Sequence, residues 1–340
     1  MESVRWAFRC GSWSPSCSEW LLAARCVQRE EKDRIGQFVF AKDSKSAMVI
    51  VPKAGRLLIR KLITEKMNIP WNEIHLERTP KGKPVLAKPV LHNISQKYNF
   101  NISHQGDYVV LAAEPGFQVG VDVMKTSRPV LHWKPVLLQK LVKKLTECVN
   151  LTKTVIWLCS ISSLARQGST TTVDFFKIMK RQFTDHEWKV IKSAGSELKQ
   201  LDMFYRHWTL KESFIKAIGT GVSFNLQRIE FHLSTKQMNV EEVKKDTKLL
   251  LDGEQEDNWV FEECMLDSNH HVAVALGMQD KVNQESCSAF SDPNPARFIT
   301  LNFNDLVTSA IPLTEEDYEY WEHFQKKSES PSRQHTLVRD

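Results

Sequence analysis

The chain has 340 residues, which is room for about two domains of ordinary size. Hydrophobic residues make up 41% of it, with 17 Phe and 10 Trp, so the composition excludes disordered and fibrous proteins. The formal net charge of +5 favours anionic partners such as phosphates or acidic proteins, and is far below that of a protein that coats nucleic acid.

The cysteine pattern and the apolar runs indicate where such a chain would work. The 7 cysteines include no C-x-x-C pair, which fits neither a disulfide framework nor a cysteine-based zinc site. The N-terminus lacks the apolar core of a signal peptide, and the longest apolar run, residues 155–165, is too short to span a bilayer. We therefore expect a soluble protein of the reducing cytosol.

Residues 1–127 predict one lobe of helices and a small sheet. Residues 4–9 alternate like a strand, helical stretches begin at Glu19 and Arg29, and residues 54–67 carry apolar pairs at helical spacing. Short strands separated by turn residues are predicted at 73–78, 98–104, 108–113 and 118–123.

Residues 128–170 differ in composition from what precedes them. They contain a basic amphipathic stretch at 137–145 and a Ser/Thr-rich run that begins at Gly168. Such a helix can touch a membrane or a partner, or it can be the solvated face of an insertion. We interpret the segment as an atypical insertion between two lobes.

Residues 171–305 repeat the plan of the first lobe. Helices are predicted at 175–193 and 198–218, the second ending at Gly219. The strands that follow are predicted at 229–233, 248–251, 259–263, 271–276 and 298–303. Residues 306–340 are predicted to be a C-terminal extension that is disordered beyond Trp321.

Glu212 is the most informative single residue of the sequence. In the predicted helix it lies in the middle of an apolar stripe that includes Phe204 and Trp208. A buried carboxylate costs several kcal/mol unless it is paired, hydrogen-bonded or bound to a metal. One interpretation is a structural pair with Lys216, one helical turn later, and the other is a functional site.

Three other clusters carry polar chemistry. Residues 78–83 place cations around a glycine turn, which fits a cradle for phosphate oxygens or an ordinary basic hairpin. Residues 100–105 put polar groups at a strand end, where functional side chains gather. In the third cluster, strand alternation places Asp122 opposite its neighbouring valines, and Gly120 is expected to leave room beside it for a ligand.

These clusters together predict a site for phosphoryl-type transfer. Asp122 and Glu212, from two lobes, can share one Mg²⁺, a hard cation that favours one or two carboxylates plus substrate phosphates. The cations would then bind the rest of a polyphosphate. Walker, kinase, dinucleotide-binding and hydrolase-elbow motifs are all missing from the sequence, so those enzyme classes are excluded.

The motifs G-K-P, F-N-I-S-H, V-G-V-D and W-x-x-K-E-S-x-x-K occur in that order along the chain. Their order and spacing resemble the large, two-lobed class of 4′-phosphopantetheinyl transferases. The resemblance implies two pseudo-symmetric α+β lobes, each a small, mostly antiparallel sheet with packed helix, and coenzyme A and Mg²⁺ in the cleft between them. It also implies transfer of the phosphopantetheine arm to a serine of an acyl-carrier domain, leaving adenosine 3′,5′-bisphosphate.

The resemblance also implies roles for individual residues. Asp122 and Glu212 would bind Mg²⁺, Glu212 would act as base toward the carrier serine, and Lys216 would contact a phosphate. His104 would lie near the 3′-phosphate of coenzyme A. The other residues expected to bind the cofactor are Arg34, Arg78, Thr79, Pro80, Lys81, Gly82, Lys83, Asn101, Ile102 and Ser103.

The third metal ligand is less well defined by the sequence. Many relatives carry an acidic residue where this chain has Met124, and methionine sulfur is a poor ligand for Mg²⁺. The amide oxygen of Gln105, just after the N-I-S-H run, is the candidate that we name instead.

The resemblance implies a monomeric enzyme of broad carrier range. The expected partners are the carrier domains of fatty acid synthase, the mitochondrial acyl carrier protein and aminoadipate-semialdehyde dehydrogenase, whose acidity suits a basic surface. The family has no equivalent of roughly residues 128–167, so an alternative is an impaired protein that binds coenzyme A or carriers but whose insertion prevents lobe closure. A basic nucleic-acid-binding module is a third reading, without a recognised motif.

Overall fold

The structure is a computed structural model that describes residues 2–49, 57–78, 84–88, 98–127, 171–221, 224–234, 238–240, 242–278 and 295–328. The interpreted insertion at 128–170 lies outside the described residues. The architecture is mixed α+β with several small sheets and packed helices, which confirms the predicted fold class. Within the described part, no helix combines the length and the apolar character needed to cross a membrane.

The helices and strands are numbered in the order in which they occur along the chain. The helices are α1 Cys17–Arg25, α2 Arg29–Gly36, α3 Ala41–Val49, α4 Leu57–Met67, α5 Thr172–Ile178, α6 Asp185–Ser193, α7 Glu197–Ile218, α8 Phe303–Val307 and α9 Tyr318–Gln325. The strands are β1 Val4–Phe8, β2 His75–Arg78, β3 Pro84–Lys88, β4 Tyr98–Gln105, β5 Tyr108–Pro115, β6 Phe117–Lys125, β7 Ile229–His232, β8 Lys248–Leu251, β9 Glu254–Gln255, β10 Trp259–Asp267, β11 His270–Met278 and β12 Ile299–Leu301.

Two sheets at the centre face each other. One has the strand order β12-β1-β5-β4 and the other β10-β11-β6. Because successive strand residues point to opposite faces, Val110 of β5 and Val121 of β6 meet in an apolar core between the sheets. The outer face of the first sheet packs on α1 and α4, and that of the second packs on α7. The molecule is therefore layered as helices, sheet, sheet, helices.

Helix α7 lies against the outer face of the second sheet. Ser196 caps its start, and Gly219 ends it in the left-handed region at φ 66°. The sequence predicted these bounds closely. The predicted apolar stripe understated the burial, because Arg206, His207 and Lys211 are also buried.

Strand β6 and helix α7 touch at Gly120. A Cβ built there would overlap the Ser213 carbonyl oxygen and would lie 2.9 Å from the Ala217 Cβ. The space beside Gly120 is thus filled by the helix backbone, so the expectation of room for a ligand there was wrong. The glycine instead permits the close approach of strand and helix.

The predicted single helix at 175–193 is two helices, α5 and α6. Thr184 separates them as the N-cap of α6 and forms a capping box with Glu187. The Glu187 N–H donates to the Thr184 hydroxyl oxygen, and the Thr184 N–H donates to the Glu187 carboxylate. The spacing T-x-x-E in the sequence carried this signal. Helix α3 and the short strands β3 and β9 were also missed.

The C-terminal segment packs on the first sheet and on α1. Strand β12 pairs in parallel with β1, and Phe324 of α9 stacks on Trp20 with ring centroids 3.8 Å apart. Helix α9 continues past Trp321, where the sequence predicted a disordered tail. Apolar side chains at helical spacing in α9 explain the difference, because they complete the core around α1.

We predict that Gly120→Ala lowers the free energy of unfolding by about 3 kcal/mol, because the new methyl group must push α7 away from β6. Urea unfolding followed by circular dichroism measures this. Gly36→Ala is the matched control, since its Cβ would meet only Tyr320 at an ordinary 3.5 Å. Equal effects of the two substitutions would show that the α7–β6 contact tolerates a side chain.

Candidate functional site

The two central sheets are joined at one edge by polar side chains. Strand β4 is the edge of the first sheet and β6 is the edge of the second. Alternate side chains of β4 reach across this seam, joining Asn99 to Phe117, Asn101 to Val121, Ser103 to Asp122 and Gln105 to Lys125 at distances between 2.5 and 3.2 Å. The seam satisfies main-chain groups that an edge strand would otherwise leave without partners.

Ser103, Asp122 and Lys216 meet at the middle of the seam. The Lys216 ammonium donates to Asp122 Oδ1 at 2.6 Å, to Ser103 Oγ at 2.7 Å and to the Val121 carbonyl oxygen at 3.1 Å. The Ser103 hydroxyl donates to the same Asp122 oxygen at 2.8 Å. All three N–H donors of the ammonium are therefore used, and they tie together β4, β6 and α7.

The second oxygen of Asp122 is in a different state from the first. Asp122 is only 5% exposed, and its Oδ2 has no hydrogen-bond partner among the residues that the structure describes. Leaving a buried carboxylate oxygen unsatisfied costs at least about 1–3 kcal/mol, and a cation is its natural complement. One oxygen is thus held in place, while the other has no partner among the described residues.

Glu212 lies on α7 one turn before Lys216 and is 6% exposed. Side chains four residues apart on a helix lie on the same face, with their Cβ atoms about 5–6 Å apart. Glu212 therefore belongs to the face of α7 that presents Lys216 to Asp122. One interpretation of the sequence was a structural pair between Glu212 and Lys216. In the structure, the hydrogen bonds of the Lys216 ammonium go instead to oxygens of β4 and β6.

The N-I-S-H run is divided between two faces of β4. Asn101 and Ser103 face the seam, whereas Ile102 and His104 point toward the side of the N-terminal helices. The His104 residue is exposed. Desolvation of its imidazole, together with the Lys216 ammonium, lowers the pKa of His104 to about 4. His104 is therefore neutral in the free protein at physiological pH.

Gln105 and Met124 have packing partners of their own. The Gln105 amide oxygen accepts a hydrogen bond from the Lys125 N–H at 2.5 Å, so it lies beside Lys125 in the seam. Its use as a third metal ligand stays a prediction. Met124 packs with Phe175 and Phe204 in the apolar core of the C-terminal helices, as suits its soft side chain.

The residues expected to hold the nucleotide are not brought into this cluster by any described contact. Arg34 lies on the exposed face of α2, and Arg78 ends β2. The rest of that turn, Thr79, Pro80, Lys81, Gly82 and Lys83, lies outside the described residues. Their assignment to coenzyme A therefore stays a prediction.

Lys211, inside the W-x-x-K-E-S-x-x-K motif, has a structural role that sequence reasoning missed. Its ammonium contacts Glu187 at 2.7 Å and donates to the carbonyl oxygens of Leu226 and Ile229 at 2.8 and 2.7 Å. Both charged side chains are 0% exposed. Burial lowers the pKa of Lys211 and raises that of Glu187, while the attraction and hydrogen bond between the two groups oppose both shifts.

The geometry now has a context in known proteins. Residues 11–116 match the family model described as 4′-phosphopantetheinyl transferase, N-terminal, and residues 161–275 match that of the 4′-phosphopantetheinyl transferase superfamily. The chain is 51% identical over 326 residues to the L-aminoadipate-semialdehyde dehydrogenase-phosphopantetheinyl transferase of Rattus norvegicus, covering 95% of this chain and 91% of the relative. It is 50% identical over 338 residues to the protein of the same name from Homo sapiens, covering 99% and 95%.

A more distant relative extends the comparison beyond animals. The phosphopantetheinyl transferase of a Thraustochytrium species is 32% identical over 275 residues, covering 80% of this chain and 77% of the relative. The chain belongs to the 4′-phosphopantetheinyl transferase family. It is a transferase that moves phosphopantetheine from coenzyme A to carrier proteins, as the motifs predicted, and the impaired alternative is not favoured.

We predict that Lys211→Met lowers the free energy of unfolding by about 3–5 kcal/mol, because it leaves the Glu187 carboxylate buried without its counter-ion. Activity per folded molecule should stay within twofold of the unchanged protein, measured at a temperature where both are folded. Lys189→Met, at an exposed position of α6, is the control and should change stability by less than about 0.5 kcal/mol. Lost activity with unchanged stability would instead assign Lys211 to the chemistry.

Proposed function

We propose that the transfer takes place at the cluster formed by Ser103, Asp122, Glu212 and Lys216, and that the enzyme is a Mg²⁺-dependent holo-carrier-protein synthase. The observation that carries this proposal is the state of Asp122. One of its oxygens is fixed by an ammonium and a hydroxyl, and the other is buried and has no hydrogen-bond partner among the described residues.

The residues present fit a magnesium ion. Mg²⁺ takes oxygen ligands and is usually held by one or two carboxylates plus substrate phosphates. Asp122 Oδ2 and the Glu212 carboxylate would hold it, with Gln105 as the candidate third protein ligand. Bound there, the ion would neutralise charge on the pyrophosphate of coenzyme A.

The side chains of this cluster divide the remaining work. A serine hydroxyl is a weak nucleophile, so Glu212 would accept the proton of the carrier serine as its oxygen bonds to the phosphorus that bears the pantetheine arm. The pyrophosphate P–O bond breaks, and adenosine 3′,5′-bisphosphate leaves. Lys216 would bind a phosphate oxygen in place of Asp122. His104, neutral in the free protein, would donate a hydrogen bond to the 3′-phosphate.

We infer further properties of the enzyme: its carriers, its oligomeric state and its location. The relatives' name couples them to aminoadipate-semialdehyde dehydrogenase, so its carrier domain, and with it lysine metabolism, is the first partner to test. Fatty acid synthase and the mitochondrial acyl carrier protein are the further carriers, and acidic carriers suit the net charge of +5. We also propose a monomer working in the cytosol, with residues 128–170 as an insertion between the lobes.

We predict that Glu212→Gln slows transfer at least about 100-fold, because the amide keeps the volume but can neither accept the proton nor ligate the metal well. Intact-mass analysis of an apo-carrier incubated with coenzyme A and Mg²⁺ measures the rate. The free energy of unfolding in urea should change by less than about 1 kcal/mol. Glu254→Gln, at an exposed position of β9, is the control and should change neither the transfer rate nor the free energy of unfolding. Transfer at more than a tenth of the normal rate would make Glu212 structural.

We predict that Ser103→Ala lowers kcat about tenfold or more and raises the Mg²⁺ concentration needed for half-maximal rate. The hydroxyl orients Asp122, and hydrogen bonds to charged groups are worth about 1.5–3 kcal/mol. Ser103→Thr keeps the hydroxyl and should restore most of the rate.

Asn99→Ala is the matched control for Ser103→Ala. It removes a seam hydrogen bond to the Phe117 carbonyl oxygen but does not touch Asp122. Similar losses of stability in the two variants, with a change in the Mg²⁺ requirement only for Ser103→Ala, identify a positioning residue. The same Mg²⁺ requirement in both would reduce Ser103 to a seam contact.

A further inference from the structure

A second cluster of metal-ligating side chains lies in the C-terminal lobe, apart from the seam. His186 is in the first turn of α6, and Glu230 and His232 are two residues apart on β7, on one face of the strand. The His232 Nε2 lies 2.7 Å from Glu230 Oε1, and the imidazole rings of His186 and His232 stack with centroids 4.4 Å apart and planes 8° from parallel. One ligand atom from each residue lies within 4.8 Å of the other two.

The elements that carry this cluster are held rigidly together. Directly beneath it, Glu187 accepts a hydrogen bond from the Phe231 N–H at 3.0 Å and pairs with the buried Lys211. The hydrogen bond between Glu187 of α6 and Phe231 of β7 therefore fixes the helix against the strand. The backbone positions of the three outward side chains are thereby fixed, and the stacked imidazoles must turn about their side-chain torsions so that a nitrogen of each faces one ion.

A supporting contact orients the carboxylate. The Thr184 hydroxyl donates to Glu230 Oε2 at 2.5 Å, which leaves Oε1 facing the imidazole of His232. Hydrogen bonds from surrounding residues to a ligating carboxylate are the usual way in which metal sites fix their ligands. Thr184 is itself fixed as the N-cap of α6.

The donor set selects the kind of metal. Two imidazole nitrogens and one carboxylate oxygen suit zinc, whereas magnesium prefers oxygen ligands alone. His186 is exposed and the other two residues are half-buried, so an ion can enter from solvent. We propose that His186, Glu230 and His232 form a three-ligand zinc site that clips α6 to β7, with the fourth position open to water.

Zinc binding would replace the proton that His232 Nε2 donates to Glu230 Oε1. The ion would then lie between a helix and a strand that are far apart in sequence, so its binding free energy would stabilise the lobe. The site is separate from the proposed magnesium site in both location and ligand chemistry. Its occupancy therefore does not depend on the reaction described above.

Calorimetric titration of the chelator-treated full-length protein with Zn²⁺ tests the proposal, in excess Mg²⁺ so that sites made of carboxylates alone are occupied. We expect one equivalent to bind. Affinity should fall at least tenfold in His186→Ala and in His232→Ala, and should be kept in His323→Ala, an exposed histidine of α9. Absence of Zn²⁺ binding, or equal binding by all four proteins, overturns the site.

Two further measurements guard against a folding defect in the variants. His186 is exposed, so His186→Ala should keep its circular dichroism spectrum and its transferase activity. Zn²⁺ should raise the melting temperature of the unchanged protein and of His323→Ala, but not that of His186→Ala. A Zn²⁺-dependent rise that persists in His186→Ala would assign the bound ion to another place and refute the proposal.

Discussion

The contact of the Lys216 ammonium with Asp122 is the interaction on which the candidate site depends. It requires α7 to lie close enough to β6 for a lysine side chain to reach both Asp122 and Ser103. That approach is possible only because Gly120 has no side chain to hold the helix away. The packing of the core thus forms the site, because it holds α7 close to β6, the edge strand of the second sheet.

The two lysines of the W-x-x-K-E-S-x-x-K motif have different surroundings: Lys211 pairs with a buried glutamate, whereas Lys216 contacts Asp122 of the candidate site. Lys211 and Glu187 are buried with every strong hydrogen-bonding group occupied, which is the condition under which a buried ion pair is tolerated. Lys216 pairs with a carboxylate whose other oxygen has no hydrogen-bond partner in the part of the chain that the structure describes. This incomplete satisfaction inside an otherwise well-packed layer supports the proposed metal site.

Much of this arrangement was readable from the sequence, and the failures have physical causes. The bounds of α7 and the alternation around Asp122 follow from local periodicity, which depends only on neighbours in the chain. The role of Gly120 could not be predicted in this way, because tertiary packing decides whether a glycine faces a ligand or a helix. Lys211 was missed for the same reason: its partner Glu187 is distant in sequence and was hidden by an unrecognised capping box.

The Lys216 contact also implies an order of events within the proposed function. In the free protein the ammonium holds Asp122 Oδ1, so the carboxylate has only Oδ2 to offer. The pyrophosphate of coenzyme A is the stronger partner for the ammonium, because its two phosphoryl groups together carry more charge and more acceptor oxygens than one carboxylate. Once Lys216 turns to the phosphate, Asp122 Oδ1 keeps only the Ser103 hydroxyl as its partner, and the negative charge around the carboxylate is no longer neutralised. Metal affinity should therefore be low before coenzyme A arrives and higher afterwards, and by linkage the metal must strengthen coenzyme A binding by the same factor.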